Sequence, residues 1–293
     1  DSWDTFLAII DWSNKDETVF SNFYGANSLS DFVGTSRKLK FNDMDHNVQV
    51  VSTKQYLMTT KTDDVADKNL SNEKAWFTFW FRTPLQNKDQ SLIKKKYKDS
   101  SWYEGDNSYN CWYRYRAKSP TYNVQADQGS SDVRSYLKGT SFTNCLPKNV
   151  FEHVKCVANW TKTDTDDATE LEDYQHWIAD KFFLPTAHQL GCIHKSFKEN
   201  SFPYIIEKSD KKPIFDIYKN KKEWDPTDGA TNPWASELKV ETAAGKAVEY
   251  WIATPSSLAT PGVYEKTAII KEDGNINNYA TDHSYCLAPC FCI

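Results

Sequence analysis

Apolar residues fall in short bursts along this chain, and polar stretches of very unequal length separate them. Trp3, Phe6, Leu7 and Ile10 follow the i, i+3, i+4, i+7 rule behind Ser2, a good N-cap, and predict a short opening helix packed on a sheet. Leu39 and Phe41, then Val48 and Val50, alternate on either side of Asn42-Asp43-Met44-Asp45-His46, which predicts a hairpin with a polar tip. The aromatic run from Trp76 to Phe81 reads as a strand covered on both faces. Val133, Tyr136 and Leu137 predict a second helix. Val150, Phe151, Val154 and Val157 predict a third, with Pro147 at a tolerated first-turn position. Thr186 to Leu190 reads as one helical turn stopped by Gly191.

The last segment carries the strongest strand signal. Tyr250–Ser256, Ala268–Asn277 and Tyr285–Ile293 read as three closing strands of one β-sheet, with Asp273-Gly274 supplying a tight turn. Two long polar stretches, Lys95 to Gln128 and Glu199 to Ala235, separate the predicted elements. Loops of this length in a compact domain are usually functional. Tyr113, Tyr115, Trp224 and Trp234 are suited to pin them, since each large ring removes on the order of 150 to 250 Å² from water.

At 293 residues, 39% hydrophobic and 15% aromatic, the chain has the apolar content to fill a core, which excludes a disordered class. The net charge of -5 is dispersed, with Lys and Asp interleaved, so the basic footprint that a phosphate backbone requires is missing and nucleic acid is not an expected partner. No apolar stretch approaches the roughly 20 residues of a membrane span, and the chain starts at Asp1 without a signal-like segment; membrane insertion is not expected.

Seven cysteines (Cys111, Cys145, Cys156, Cys192, Cys286, Cys290 and Cys292) make an odd count in mostly apolar surroundings, the pattern of reduced, buried thiols in a chain made in a reducing cytoplasm. His283, Cys286, Cys290 and Cys292 resemble a zinc set in composition. In an extended strand, however, Cys290 and Cys292 share one face while Pro289 and Phe291 take the other, so a core strand is the expected reading and no metal is expected. No phosphate-binding glycine loop and no G-x-S-x-G occur among the 10 glycines. His188 and His194 flank Cys192, a pairing of types that coincidence explains better than nucleophilic catalysis. The acidic run from Asp164 to Asp173 lacks the positions and central glycine of a calcium loop and reads as a solvated loop. No enzyme activity and no cofactor are expected. The sequons at Asn69 and Asn159 are treated as chance matches.

Several motifs occur in a familiar order. The ending Tyr250-Trp251-Ile252-Ala253-Thr254-Pro255, Glu272-Asp273-Gly274 and Ala288-Pro289-Cys290-Phe291-Cys292-Ile293 resembles the "YWLRSP…SDG…GVxPAFxI" ending of a domain family of unknown function, abundant in gut Firmicutes and their phages. Gly34 to Phe41 resembles its early "vGdtk.itf" strand, Ser131 to Gly139 its "s.iR.yLn" helix, and Asp180 to Thr186 its "dklfLlS" segment. That family is related to the C-type-lectin-like, formylglycine-generating-enzyme and retroelement-diversified lectin folds. The resemblance implies an α+β, C-type-lectin-like fold of small antiparallel sheets, two or three short helices and long ordered loops. It implies a single domain over 1–293, with an N-terminal helix and β-hairpin part at 1–90 and a lectin-like core at 91–293. The family's arginines in Arg-Ser-Pro and the later Arg-Pro are replaced by Ala253 and Ala288 here, so any role they have is not carried over. The two-cysteine setting of the formylglycine-generating relatives and the calcium-binding lectin signatures are missing.

What remains is a recognition surface. Around the closing hairpin lie Tyr264, Lys266, Asn275, Asn277, Asn278, Tyr279, Asp282, His283 and Tyr285, types that give contact area at low rotamer cost or adaptable hydrogen bonding. In similar lectin-like proteins this last segment presents the changeable contact residues, and only that location is carried over. The expected function is a non-enzymatic binding or display protein on a phage virion surface, as decoration, fibre or receptor-binding protein, contacting a host-surface protein or glycan. The alternatives are a structural virion assembly or capsid/tail decoration protein bound to other virion proteins, and a bacterial surface adhesin. A homo-oligomer is compatible with each.

Overall fold

The structure is a computed structural model that describes residues 2–13, 16–60, 64–65, 70–97, 112–115, 128–162, 175–192, 214–221, 232–255 and 266–293. Two five-stranded sheets dominate. The first is built from β1 (Ser36–Phe41), β2 (Met44–Thr53), β4 (Phe77–Phe81), β10 (Phe182–Phe183) and β17 (Cys290–Cys292), in the spatial order β1-β2-β4-β17-β10. The second contains β5 (Lys94–Lys96), β13 (Tyr250–Pro255), β14 (Lys266–Ile270), β15 (Ile276–Ala280) and β16 (Ser284–Cys286), in the order β15-β14-β13-β16-β5. A third sheet joins β3 (Asp64–Val65), β9 (Gln175–Asp180) and β8 (Val157–Lys162). Two small ribbons pair β6 (Tyr113–Tyr115) with β7 (Gln128–Ser130) and β11 (Val240–Glu241) with β12 (Ala247–Val248). The described helices are short: α1 (Trp3–Trp12), α2 (Glu17–Phe23), α3 (Asp132–Lys138), α4 (Thr140–Thr143), α5 (Lys148–His153) and α6 (Ala235–Leu238). The fold is therefore a mixed α and β arrangement of small, mainly antiparallel sheets with few helices.

β4 lies at the centre, and all five of its residues are buried. Its alternation sends Phe77 and Phe79 toward α1 and α2, where Phe6 meets both rings at 5.6 and 6.1 Å and Phe20 meets Phe77 at 5.4 Å. Trp80 takes the opposite face, packs 6.1 Å from Tyr250 of the second sheet and donates its indole N–H to the Ala288 carbonyl at 3.0 Å. One strand thus carries helices on one side and a sheet on the other, which is why all five of its positions are buried, Thr78 being its one polar residue. The expected opening helix is α1, capped by Ser2 on the Thr5 amide, with Phe6, Leu7 and Ile9 buried.

Three expectations change. The hairpin tip is the two residues Asn42 and Asp43, at φ 52° and 67°, and Phe41 pairs with Met44. This left-handed pair matches the twist of the flanking strands, and Asn and Asp tolerate it. Asp45 and His46 are consequently strand residues, and His46 is fully buried between Phe41 and Phe81 with its Nδ1 3.2 Å from the Thr83 hydroxyl. The third helix stops at His153: Val154 is extended, the Lys155 amide donates to the Cys292 carbonyl, and Val157 opens β8 opposite Asp180. Thr186–Leu190 does close one helical turn, from the Leu190 amide to the Thr186 carbonyl, ended by Gly191 at φ 76°.

The third change concerns the closing strands, which do not share one sheet. β13 to β16 form the second sheet, with Tyr250 and Cys286 in parallel register, while the last residues cross to the first sheet as β17. Pro289 has no N–H with which to continue a ladder. The carbonyls of Leu287, Ala288 and Pro289 instead accept from Leu85, the Trp80 indole and Phe81, so the crossing leaves no carbonyl of the three unsatisfied. In β17, Phe291 stacks on Phe79 at 5.2 Å, and Cys290 and Cys292 lie opposite Trp80 and Thr78.

The segments that carried the family resemblance are joints of this frame. Ser131 caps α3 on the Arg134 amide. Arg134 and Asp180 are fully buried and joined at 2.7 Å from Nε to Oδ1; the Trp112 indole donates to Asp180 Oδ2 at 2.8 Å, and Arg134 also donates to Ser130 Oγ and the Ala179 carbonyl. Burial pushes the Asp180 carboxyl up, and Arg134 with Trp112 pulls it back. Likewise Ala253 donates to the Pro185 carbonyl and Thr254 Oγ1 accepts from the Ala187 amide, which ties β13 to the Leu184-Pro185-Thr186 segment.

Two outcomes follow. Asp180→Ala strands a buried guanidinium and is expected to cost about 3 to 5 kcal/mol in urea unfolding; a loss within 1 kcal/mol would show that water reaches the pair. His46 is held neutral, its pKa lowered to about 4 by burial from the ordinary 6.5. Its contribution is complete above pH 6.5 and is lost as pH falls toward 4, roughly 3 kcal/mol across that window. Urea midpoints measured at intervals from pH 7.5 to 4 are expected to fall more steeply for the native chain than for His46→Phe.

Candidate functional site

The nine residues singled out from sequence separate into two groups. Asn275 belongs to the frame: its Oδ1 accepts from the Asn232 amide at 3.0 Å, and its own amide is held by Asp273 Oδ1. Gly274, at φ 86°, is buried so closely against α6 that a Cβ would overlap the Ala235 carbonyl. The tip of the β14–β15 hairpin is therefore docked on the molecule, which corrects the expectation that the turn displays its neighbours. Asn277 is half-buried opposite Ile269, and Asn278 pairs with Ala268. Lys266 pairs with Ala280, so both lie at the opposite end of that hairpin from Gly274. Tyr264 lies outside the described residues, as do the side chains of Lys266 and Asn278.

Tyr279, His283 and Tyr285 do come together. β15 and β16 run in the same direction and are joined by a turn through Thr281, Asp282 and His283, with the His283 amide donating to the Ala280 carbonyl and the Thr281 carbonyl accepting from Tyr97 of the strand end at β5. The Tyr279 ring is 5.9 Å from His283 and 5.4 Å from Tyr285, and His283 is 6.3 Å from Tyr285. Tyr285 meets the fully buried Trp251 edge-on at 4.8 Å, and Trp251 is fixed by its indole N–H on the Lys95 carbonyl at 2.8 Å. The result is a ladder of rings running from the core to solvent, ending at exposed His283 with half-buried Asp282 beside it in the chain. Burial, with Glu249 and Tyr279 nearby, pushes the Tyr285 phenol up to about 12, so it stays a neutral hydroxyl at physiological pH. Exposed Lys94 and Lys96, opposite Cys286 and Ser284, edge the same sheet.

Four of the described thiols, those of Cys192, Cys286, Cys290 and Cys292, sit in the interior, while Cys145 and Cys156 are half-buried. Burial pushes Cys286 up to about 11 and Cys292 up to about 12, and raises Cys290 well above its ordinary value, so none is a thiolate near neutrality. Cys192 is buried, its thiol raised by burial and directed at the Leu190 carbonyl; His194 lies outside the described residues. The six described cysteines are free. Among the described residues no group of three or more His, Cys, Asp or Glu is placed to hold a metal ion, and no helix is long and apolar enough to cross a membrane. The acidic run at 164–173 and most of the two long polar stretches lie outside the described residues. Trp234 is buried with its indole on the Leu190 carbonyl, the stapling role expected of it.

A second surface was not anticipated. A groove of about 720 Å³ runs beside β1, between Trp3 and Asp4 of α1, Tyr24, Phe32, and Asn149 and Val150 of α5. Its signal was present as the alternation Ser36-Arg37-Lys38-Leu39-Lys40, which puts lysines on one face of a strand at a sheet edge.

No curated protein and no solved structure matches the chain. Residues 115–293 match a family described as Domain of unknown function (DUF6273), a match that takes in Arg134, Asp180, the second sheet from β13 onward and the crossing strand β17. Since more than half of the chain is covered, the protein belongs to the DUF6273 family.

Proposed function

We propose that this chain is a non-enzymatic binding or display domain whose contact surface is the ring ladder at the end of the second sheet: Tyr279, Asp282, His283 and Tyr285. The observation that carries this reading is the edge-on packing of that ladder against the buried Trp251. Rings already held in place lose little conformational freedom on contact, and preorganisation of this kind is where affinity is gained. A lectin-like arrangement of the loops, a place on a phage virion or bacterial surface, and a host-surface protein or glycan as partner belong to the same proposal and rest on the family resemblance. The buried, protonated thiols favour it over a cysteine-dependent enzyme.

A structural role in virion assembly has one specific observation in its favour. Trp12 and Phe23 are 67% and 56% exposed and meet edge-on at 6.4 Å, an apolar pair suited to a neighbouring subunit. Binding to glycan arrays and to candidate host cells separates the two. Tyr279→Ala and His283→Ala are expected to weaken binding by roughly 1 to 3 kcal/mol each while leaving the unfolding midpoint within the native range. Unchanged binding in both variants, with loss in Trp12→Ala, would move the contact surface to the α1–α2 side and favour assembly.

A further inference from the structure

The groove beside β1 is an open sheet edge with a charge pattern of its own. Among the described residues β1 is the outermost strand of the first sheet and pairs only with β2. The two-residue turn makes Phe41 and Met44 a hydrogen-bonded pair, so Leu39 and Arg37 also direct their peptide groups at β2, while those of Ser36, Lys38 and Lys40 face outward. The Lys38 carbonyl confirms the direction, since it accepts from the Trp3 indole at 2.7 Å. A carbonyl oxygen has two lone pairs, so an incoming N–H would share this acceptor with the Trp3 indole or displace it.

The side chains along this edge divide by period two. Ser36, Lys38 and Lys40 are exposed on one face; Arg37, over the Phe6 ring at 4.0 Å, shares the other with the aromatic wall of Trp3, Tyr24 and Phe32. Lys40 is answered within the sheet by Asp45, its cross-strand partner, at 3.2 Å. Lys38 faces neutral Asn47 and has no acidic partner among the described residues. Asp4, the other acid on the groove, is engaged by the Asn149 amide at 2.5 Å. A second copy adding through its own β1 would set Arg37, Lys38 and Lys40 against like charges, which disfavours self-pairing.

We propose that this groove accepts an extended peptide segment of a partner protein, alternating acidic and apolar residues, which adds to β1 as a further strand. Its main chain would bond the outward groups of Ser36, Lys38 and Lys40, its acidic side chains would lie beside Lys38, and its apolar ones against Trp3 and Phe32. The receiving strand β1 lies N-terminal to the family match, while the α5 wall of the groove falls within it; the groove is separate from the ring ladder, so the failure of one reading leaves the other standing.

The test titrates the whole chain with three peptides: Ac-(Glu-Val)₃-NH₂, Ac-(Lys-Val)₃-NH₂, and the acidic peptide N-methylated at alternate amides, following NMR shifts of the β1 amides and the Trp3 indole. Expected are saturable binding of the acidic peptide, at least tenfold weaker binding of the basic and N-methylated peptides, and a reversal of the acid-over-base preference in Lys38→Glu, which is exposed and leaves the fold intact. Equal binding of the acidic peptide and its N-methylated form would reduce the effect to surface charge and overturn strand addition. Shifts confined to residues away from β1, no saturable binding, or an unchanged preference in Lys38→Glu would overturn the proposal outright.

Discussion

The frame depends on the crossing of residues 286–293 from one sheet to the other. Cys286 still pairs beside Tyr250 in the second sheet, and four residues later Cys290 sits between Trp80 and Phe183 in the first. Every residue from Cys286 to Ile293 is buried. Phe291 touches Phe79, Phe81 and Phe182, so a single ring links β4, β10 and the α1 layer. Because β17 fills the gap between β4 and β10, removing it would expose two strand edges and the aromatic surface of both.

The candidate surface inherits its rigidity from that crossing. β16 immediately precedes it, and Tyr285 is placed by β16 against Trp251, whose indole is in turn held on β5. The ladder from Trp251 to His283 is thus tied into the same apolar cluster as β4. The docking of Gly274 on α6 and the bond between Asn275 and Asn232 fix the other end of the hairpin. What is left to face outward is a short arc at one end of the sheet, a smaller area than the set of polar residues near the hairpin suggests.

Much of the frame was legible because local rules agreed with the tertiary outcome: the Ser2 cap, the apolar run of β4, and the alternation of Cys290 and Cys292. The failures have physical causes. Sequence shows where a strand begins, but not that the chain crosses at Pro289 from the second sheet to the first. It shows four apolar residues at helical spacing after Pro147, but not that Val157 is claimed by pairing with Asp180. Asn275 and Tyr279 look alike as polar hairpin residues and are both half-buried, and only the proximity of Asn232 and Ala235, some forty residues earlier in the chain, marks Asn275 as a frame residue. Arg134 was visible as part of a familiar segment, yet its buried partner Asp180 lies 46 positions away and no local pattern connects them.

The central claim is that the two sheets and the terminal crossing unfold together. Native-state hydrogen exchange of the Phe77, Ile293 and Ile269 amides tests it most directly, since Phe77 and Ile293 exchange bonds across the crossing and Ile269 lies in the second sheet. The account predicts one opening free energy for all three, equal to that of global unfolding by urea. A distinctly lower value at Ile293 or Ile269 would mean that the terminus or the second sheet opens alone, and would contradict it.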